Sequence, residues 1–240
     1  MKKSIYLLAS IALLSLTSCE LDYEPYNSLP EGQVDQIEGS TKNITLGNYS
    51  MLKNWVENWH RVTEYPGDNV ALSGTTTDNL MYNYNYKRIS NNSRVNNYWA
   101  YSYRIIAGTN TALTKLEEGK SKEDDQLMGE NLYIRSLIYF YLTNVFGRPY
   151  NQNPTSNLAV PLKLTDDPIE NLPRSTVEQV YAQILKDLLK AETLFNDETR
   201  IKIYGSKESV QALLARVYLY MGNNQKAIEY SDKVISSGKF

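Results

Sequence analysis

Evenly spaced apolar residues in the last third of the chain constrain its fold more than any other feature. Between residues 177 and 195 they recur every three or four positions, the repeat of one helix face: Val177, Val180, Tyr181, Ile184, Leu188, Ala191 and Phe195. Ser175-Thr176-Val177-Glu178 precedes them as a capping box, which satisfies two backbone N–H groups at a helix start. The pattern predicts an amphipathic helix that ends before Asn196.

The same spacing predicts further helices over residues 46–59, 92–117, 121–147, 206–221 and 224–236. The apolar face of the first is predicted to be Leu46, Tyr49, Leu52, Val56 and Trp59. The start of the third resembles a capping box, with Ser121 as the cap and Asp124 in the place of the usual Glu.

Residues of the last predicted pair also match a known repeat. Leu214, Ala215, Tyr218, Gly222 and Ala227 occupy five positions of the tetratricopeptide pattern, in which small residues let two antiparallel helices approach closely. An ordinary helical hairpin is the alternative. Because one repeat cannot bury its own apolar face, the pattern predicts that other helices stack on this pair.

Two segments lack helical spacing and are predicted to be long loops. Residues 61–92 are rich in Gly, Thr, Asn and Tyr, and residues 148–174 contain five prolines. Proline lacks the N–H that a helix interior uses, so we expect the second segment to be extended chain laid over the helices. The predicted fold class is all-α, a tetratricopeptide-like helical-repeat domain with long irregular loops.

The first residues have the organisation of a secretory signal peptide. Two lysines precede a mostly apolar run over residues 5–16, which is shorter than the roughly 20 residues that cross a bilayer. Leu16-Thr17-Ser18-Cys19 then resembles a bacterial lipobox, and Cys19 is the only cysteine. We expect a signal peptide over 1–18, lipidation of Cys19 as a membrane anchor, an acidic and polar tether over 19–45, and a helical domain over 46–240. A spare thiol in a cleaved signal is the alternative.

The charge balance argues against nucleic acid as a partner. The chain has 25 basic and 27 acidic residues, and loss of residues 1–18 with their two lysines would leave 23 against 27, a net charge of −4. Glu20, Asp22 and Glu24 follow Cys19 and resemble the signal that exports lipoproteins to the outer face of the outer membrane. A solvated acidic tether is the alternative. The first interpretation predicts a surface-exposed, lipid-anchored protein of the outer membrane.

Few residues offer catalytic or metal-binding chemistry. His60 is the only histidine, which excludes a multi-histidine zinc site, and its place beside Trp59 predicts a surface or capping role. The sequence has no Gly-rich phosphate loop or dinucleotide fingerprint. Asp166 and Asp167 are adjacent in a Pro-rich loop, where carboxylates are normally solvated. We expect no catalytic residue, no metal site and no cofactor.

One segment, between Asp78 and Arg88, alternates tyrosine with asparagine. In extended chain, Tyr82, Tyr84 and Tyr86 would lie on one side and the asparagines on the other. Sugars suit such a surface, because their CH faces stack on rings while their hydroxyls bond to amides and guanidinium groups. Tyr82, Tyr84, Tyr86 and Arg88 are therefore candidate glycan-binding residues. A half-buried edge strand or packing loop is the alternative.

Separated blocks over residues 92–240 resemble, in order, the SusD/RagB family of lipoproteins, which work with TonB-dependent transporters in glycan uptake by Bacteroidetes. The blocks are Trp99, Tyr103, Ile106, Asn110 and Leu113; Glu130, Arg135, Tyr139, Phe140, Leu142, Phe146, Gly147 and Pro149, with Ser136 replacing the usual Ala; Pro161, Leu162 and Pro173 to Tyr181, with Ile184, Asp187, Leu188 and Ala191; and Ala212 to Tyr220, Ala227 and Ser237 to Phe240.

The resemblance implies a lipoprotein that captures oligosaccharide and passes it to a SusC-like TonB-dependent outer-membrane transporter, without catalysing a reaction. It also implies that part of the glycan platform lies in loops ahead of the helix with Trp99. Glu130, Arg135 and the Phe146-Gly147 turn define the family. We interpret them as structural, since a charged pair inside an apolar helix usually satisfies buried polar groups.

The chain departs from the family in length. Family members are much longer, and this sequence stops where the helical repeats should lead into a second, irregular half, so we expect a fragment or a truncated gene. Much of the glycan-contacting surface would then lie beyond Phe240. The alternative function is a tetratricopeptide-type adaptor lipoprotein that binds protein and has no glycan site of its own.

Overall fold

The computed structural model describes residues 37–74, 77–87, 89–197, 201 and 203–239. The described residues from 41 onward belong to one compact unit. The predicted signal peptide, Cys19 and most of the predicted tether lie outside the described residues. None of the described helices combines the length and the apolar character that crossing a membrane requires.

Seven helices make up the described part of the chain: α1 (Ser40–Glu64), α2 (Leu80–Tyr84), α3 (Ser93–Thr114), α4 (Lys122–Phe146), α5 (Val177–Leu194), α6 (Lys207–Tyr220) and α7 (Asn224–Ser236). Apart from one isolated antiparallel bridge, between Leu158 and Thr176, the described residues form no β-structure. The predicted all-α class is confirmed.

α4 is the central helix, with 14 of its 25 residues buried. It packs against α3 and α5, α5 packs against α6, and α6 packs against α7, so each helix from α3 onward contacts its neighbour in the chain. Serial packing of this kind is how stacked helical repeats build one continuous core. Within the last pair, Leu214 and Ala227 are buried and Tyr218 stacks on Tyr230 with ring centroids 5.7 Å apart.

α1 is longer than its prediction at both ends. It begins at Ser40 and ends at Glu64, whereas the apolar spacing gave 46–59. Residues 40–45, which the sequence assigned to the tether, are therefore helical. Spacing of apolar residues missed this turn because the side chain that it buries, Thr45, is polar.

The buried face of α1 also differs from the predicted one. Trp55 is buried together with polar Thr45 and Asn48, while Val56 of the predicted apolar face is 38% exposed. Hydrogen bonds to α4 explain this orientation, since Asn48 Nδ2 donates to Asn131 Oδ1 at 3.0 Å and Asn131 Nδ2 donates to Thr45 Oγ1 at 2.8 Å. The polar pairs satisfy groups that burial would otherwise leave without partners.

A buried ion pair joins the three helices at the centre. Arg135 on α4 donates from Nε and Nη2 to the two carboxylate oxygens of Asp187 on α5, at 2.8 and 2.9 Å, and from Nη1 to Asn110 Oδ1 on α3 at 2.9 Å. Glu130, on the same helix as Arg135, accepts a hydrogen bond from Gln126 Nε2 at 2.9 Å. The geometry agrees with a structural role for Arg135 and identifies Asp187 as its partner.

Extended chain after α4 crosses the helices as predicted. Asn110 Nδ2 donates to the carbonyls of Lys163 and Thr165 at 3.1 and 2.8 Å, and Tyr139 Oη donates to the Lys163 carbonyl at 2.8 Å. Tyr103 Oη holds the Pro161 carbonyl in the same way, at 2.8 Å. Burial raises the pKa of Tyr139 well above its usual range, so its hydroxyl remains a donor.

Helix starts differ from prediction in detail. The capping box of α5 is formed by Thr176 and Gln179, one residue later than predicted. Ser121 caps α4 by accepting from the Asp124 N–H at 2.9 Å, and the Asp124 carboxylate accepts from the Ser121 hydroxyl instead of from its backbone. The sequence therefore identified the residue types that cap these helices, while the capping box of α5 lies one residue further along.

Candidate functional site

The segment that alternates tyrosine with asparagine forms a short helix and a turn. Asp78 Oδ1 accepts from the Leu80 N–H at 2.9 Å and α2 begins there, with Leu80 buried. After α2, Tyr86 has a φ of +55°, and the Lys87 N–H donates back to the Tyr82 carbonyl at 2.8 Å. The predicted extended conformation is therefore wrong, and the tyrosines do not share one side of a strand.

Two links fix α2 against the start of α3. Arg94 Nε donates to Asp78 Oδ1 at 3.0 Å, and its Nη2 pairs with the second carboxylate oxygen. The hydrogen bonds from Arg94, and then the one from the Leu80 N–H, lower the pKa of Asp78 from 3.8 to about 2. Asn92 Nδ2 donates to Asn83 Oδ1 at 2.8 Å, while Asn92 Oδ1 caps the first N–H groups of α3.

A cleft of about 800 Å³ opens beside α2, bounded by the ends of α1 and α4, the start of α3 and the extended chain after α4. That volume lies within the range of small-molecule binding sites. Its lining combines aromatic, amide, cationic and aliphatic groups: Tyr82, Tyr86 and Phe146; Asn83, Asn92 and Asn157; Lys87, Arg148 and Arg174; and Val62, Pro66, Ile89, Val95, Val145, Gly147 and Leu158.

The structure brings together two of the four predicted glycan-binding residues. Tyr82 and Tyr86 line the cleft and are 37% and 77% exposed, and the Tyr86 hydroxyl contacts the Pro66 carbonyl. Tyr84 is half-buried and is not among the lining residues. Arg88 lies outside the described residues.

Phe146 forms part of the cleft wall and also packs against α3. Its ring lies edge-on to Trp99 at 4.9 Å and stacks on Tyr98 at 6.0 Å, measured between centroids. A Cβ at Gly147 would lie 2.7 Å from the Thr143 carbonyl oxygen, so only glycine fits where the chain leaves α4. The Phe146-Gly147 turn is therefore structural, as the sequence indicated, and it also shapes the cleft.

Sequence reasoning missed the cations of the cleft. Arg174 donates from Nε to the Ala159 carbonyl at 2.7 Å, and from Nη2 to the carbonyls of Phe146 and Leu158 at 2.8 and 3.1 Å. It thereby ties the extended chain to the end of α4. Arg148 is exposed at the same edge. Nothing in the sequence indicates that it lines a common cleft with Lys87.

Metal-binding groups are not gathered at this cleft. Within the described part of the chain, no three His, Cys, Asp or Glu side chains lie close enough together to hold a metal ion. His60 is exposed at the side of α1, its ring 4.4 Å from that of Trp59.

The SusD-like family model, described as starch-binding and associating with the outer membrane, matches residues 21–219. The chain belongs to the SusD-like family. Among curated relatives, SusD-like protein P2 of Formosa agariphila is 25% identical over 235 residues, which cover 95% of this chain and 45% of that protein. This SusD-like chain thus spans about half the length of the curated relative that it matches.

Solved structures show the same fold. A SusD superfamily protein from Bacteroides thetaiotaomicron is 28% identical with a TM-score of 0.70, over 84% of this chain and 46% of that one. A laminarin-binding SusD-like protein is 24% identical with a TM-score of 0.67, over 82% of this chain and 43% of that one. The resemblance to SusD/RagB seen in the sequence is confirmed.

Proposed function

We propose that this SusD-like chain is a cell-surface lipoprotein that binds oligosaccharide and delivers it to a SusC-like TonB-dependent outer-membrane transporter, without transforming it. The observation that carries the binding claim is the cleft, where two exposed tyrosines stand beside amide and cationic groups. The family description as starch-binding supports a glycan ligand. So does the name of the laminarin-binding relative.

Binding at the cleft follows from sugar chemistry. The apolar faces of pyranose rings stack on Tyr82, Tyr86 and Phe146, while sugar hydroxyls exchange hydrogen bonds with amides such as Asn157. Since Arg94 and Asn92 already hold α2 in place, little conformational entropy is lost when a glycan binds.

Membrane attachment and the transporter belong to the same proposal. Cleavage before Cys19 and acylation of its thiol would anchor the protein, and two or more acyl chains give the stable binding that one chain does not. Glu20, Asp22 and Glu24 would then direct export to the outer face of the membrane, and the family description as associating with the outer membrane supports that location.

Calorimetric titration of the full chain with laminarin and with maltoheptaose tests the binding claim. We expect measurable affinity for at least one glycan, and a loss of about tenfold in the double variant Tyr82→Ala/Tyr86→Ala, since each aromatic contact contributes about 0.5–1.5 kcal/mol. Tyr220→Ala is the matched control, because Tyr220 is 51% exposed on α6 and does not line the cleft.

Equal affinity of the double variant and the parent chain would overturn the assignment of the cleft. No affinity for either of these neutral glycans, together with none for glycans that carry carboxylate or sulfate groups, would overturn the binding function. Tyr84 and Arg88 stay predictions, which the same titration tests through the single variants Tyr84→Ala and Arg88→Ala.

A protein-binding adaptor is the second candidate. Apolar residues of the last helix pair favour it, since Leu219, Ile228 and Ile235 are 57%, 61% and 76% exposed. Capture of a protein partner by a chain without glycan affinity would distinguish this function from the first.

A further inference from the structure

The cleft has an excess of positive charge that is local to it. Three cationic side chains line it, Lys87, Arg148 and Arg174, and none of its lining residues is Asp or Glu. The chain as a whole has more acidic than basic residues, 27 against 25, so this excess does not come from a basic composition. The positive charge of the cleft therefore favours a negatively charged ligand.

Two of these cations have no acidic partner in the part of the chain that the structure describes. Among the described residues, neither Lys87 nor Arg148 makes an ion pair or a side-chain hydrogen bond, and both are exposed. The acid of the α2 region, Asp78, binds Arg94. Both cations are thus available to a ligand within the cleft.

The dipole of α3 adds to the positive potential of the cleft. Asn92 and Val95, at the start of α3, line the cleft, and α3 has no acidic residue in its first turn to offset the positive helix end. The negative end of α4 also faces the cleft through Phe146, but Arg174 Nη2 donates to the Phe146 carbonyl and offsets it. Arg174 therefore acts on the backbone, and the ligand-directed charge lies on Lys87 and Arg148.

We propose that the cleft selects anionic oligosaccharides, which carry carboxylate or sulfate groups, over neutral ones. Arg148 offers the planar guanidinium fork that suits both groups, and Lys87 offers a point charge. Tyr82 and Tyr86 would stack on the sugar rings between the anionic groups. This inference rests on the proposed glycan-binding function and names the class of glycan.

Titration of the full chain with matched pairs of glycans tests the selectivity. One pair is oligogalacturonate and its methyl ester, and the other is dextran sulfate and dextran. We expect at least one anionic member to bind about tenfold or more tightly than its neutral partner, with an advantage that shrinks as salt screens the charges. The two pairs distinguish a preference for carboxylate from one for sulfate.

The double variant Lys87→Gln/Arg148→Gln should no longer bind the anionic glycan of a pair more tightly than the neutral one. Its affinity for the neutral glycan should equal that of the parent chain. Lys53→Gln/Lys186→Gln removes the same charge from two exposed lysines outside the cleft and should keep the advantage. Because all four side chains are exposed, the variants should fold, and circular dichroism verifies it.

Equal binding of anionic and neutral glycans would overturn this inference and leave the glycan-binding function standing. An equal loss in both double variants would also overturn it, because the attraction would then be nonspecific. No affinity for any of these four glycans, together with none for laminarin and maltoheptaose, would overturn the proposed function as well.

Discussion

At the scale of single residues, Asp78 links α2, which carries Tyr82, to the start of α3. Its carboxylate accepts from the Leu80 N–H at the start of α2 and binds Arg94 on α3. Tyr82 follows on the same short helix, and five residues of helix are too few to be stable without such tertiary contacts. The ion pair is therefore a positioning contact for the cleft.

The lowered pKa of Asp78 predicts a pH dependence. Its carboxyl titrates at about 2 in the folded chain against 3.8 ordinarily, so its contribution to stability is complete above about pH 4 and is lost as the pH falls towards 2. Partial exposure limits this contribution to about 1 kcal/mol. Urea unfolding of the parent chain and of Asp78→Asn should differ by that amount at pH 6 and converge near pH 2. A difference that stays constant from pH 6 to pH 2 would contradict the assignment.

At the scale of elements, helix positions were predictable because their signals are local. Apolar spacing and capping residues placed the helices from α3 to α7 to within a few residues. The buried face of α1 was not predictable, because it depends on Asn48 and Asn131, which are 83 positions apart in the chain. Side chains such as asparagine become buried only when a distant partner satisfies them.

At Gly108, α3 lies close to α1, and this contact predicts how a substitution there changes the stability of the chain. A Cβ at this position would lie 2.1 Å from Asn48 Oδ1, so Gly108→Ala should lower the free energy of unfolding by about 1–3 kcal/mol through overpacking. In Gly47→Ala, the matched control in α1, the new methyl group meets nothing within 4 Å, and the free energy should rise by about 0.5–1 kcal/mol. Urea unfolding measures both. A neutral Gly108→Ala would mean that Asn48 does not hold the observed position.

At the scale of the whole molecule, the cleft was only partly predictable. Tyr82 and Tyr86 were identified from the alternation of tyrosine with asparagine, and they line the cleft although the assumed extended conformation was wrong, because aromatic and amide side chains together suit sugars in either conformation. Tyr84 shared the pattern but is absent from the lining, since the segment is helical and does not alternate sides. Lys87 and Arg148 are far apart in the sequence and line the same cleft only in the folded chain, which no local signal encodes.

The central claim, capture of glycan at the outer-membrane surface for a transporter, is tested most directly by purifying the lipidated protein from its native membrane in mild detergent. Mass spectrometry then identifies the peptide that contains Cys19 and the proteins that remain bound. We expect Cys19 to be an acylated first residue and a TonB-dependent barrel to co-purify. An unacylated Cys19 with residues 1–18 still attached, and no barrel, would contradict the claim.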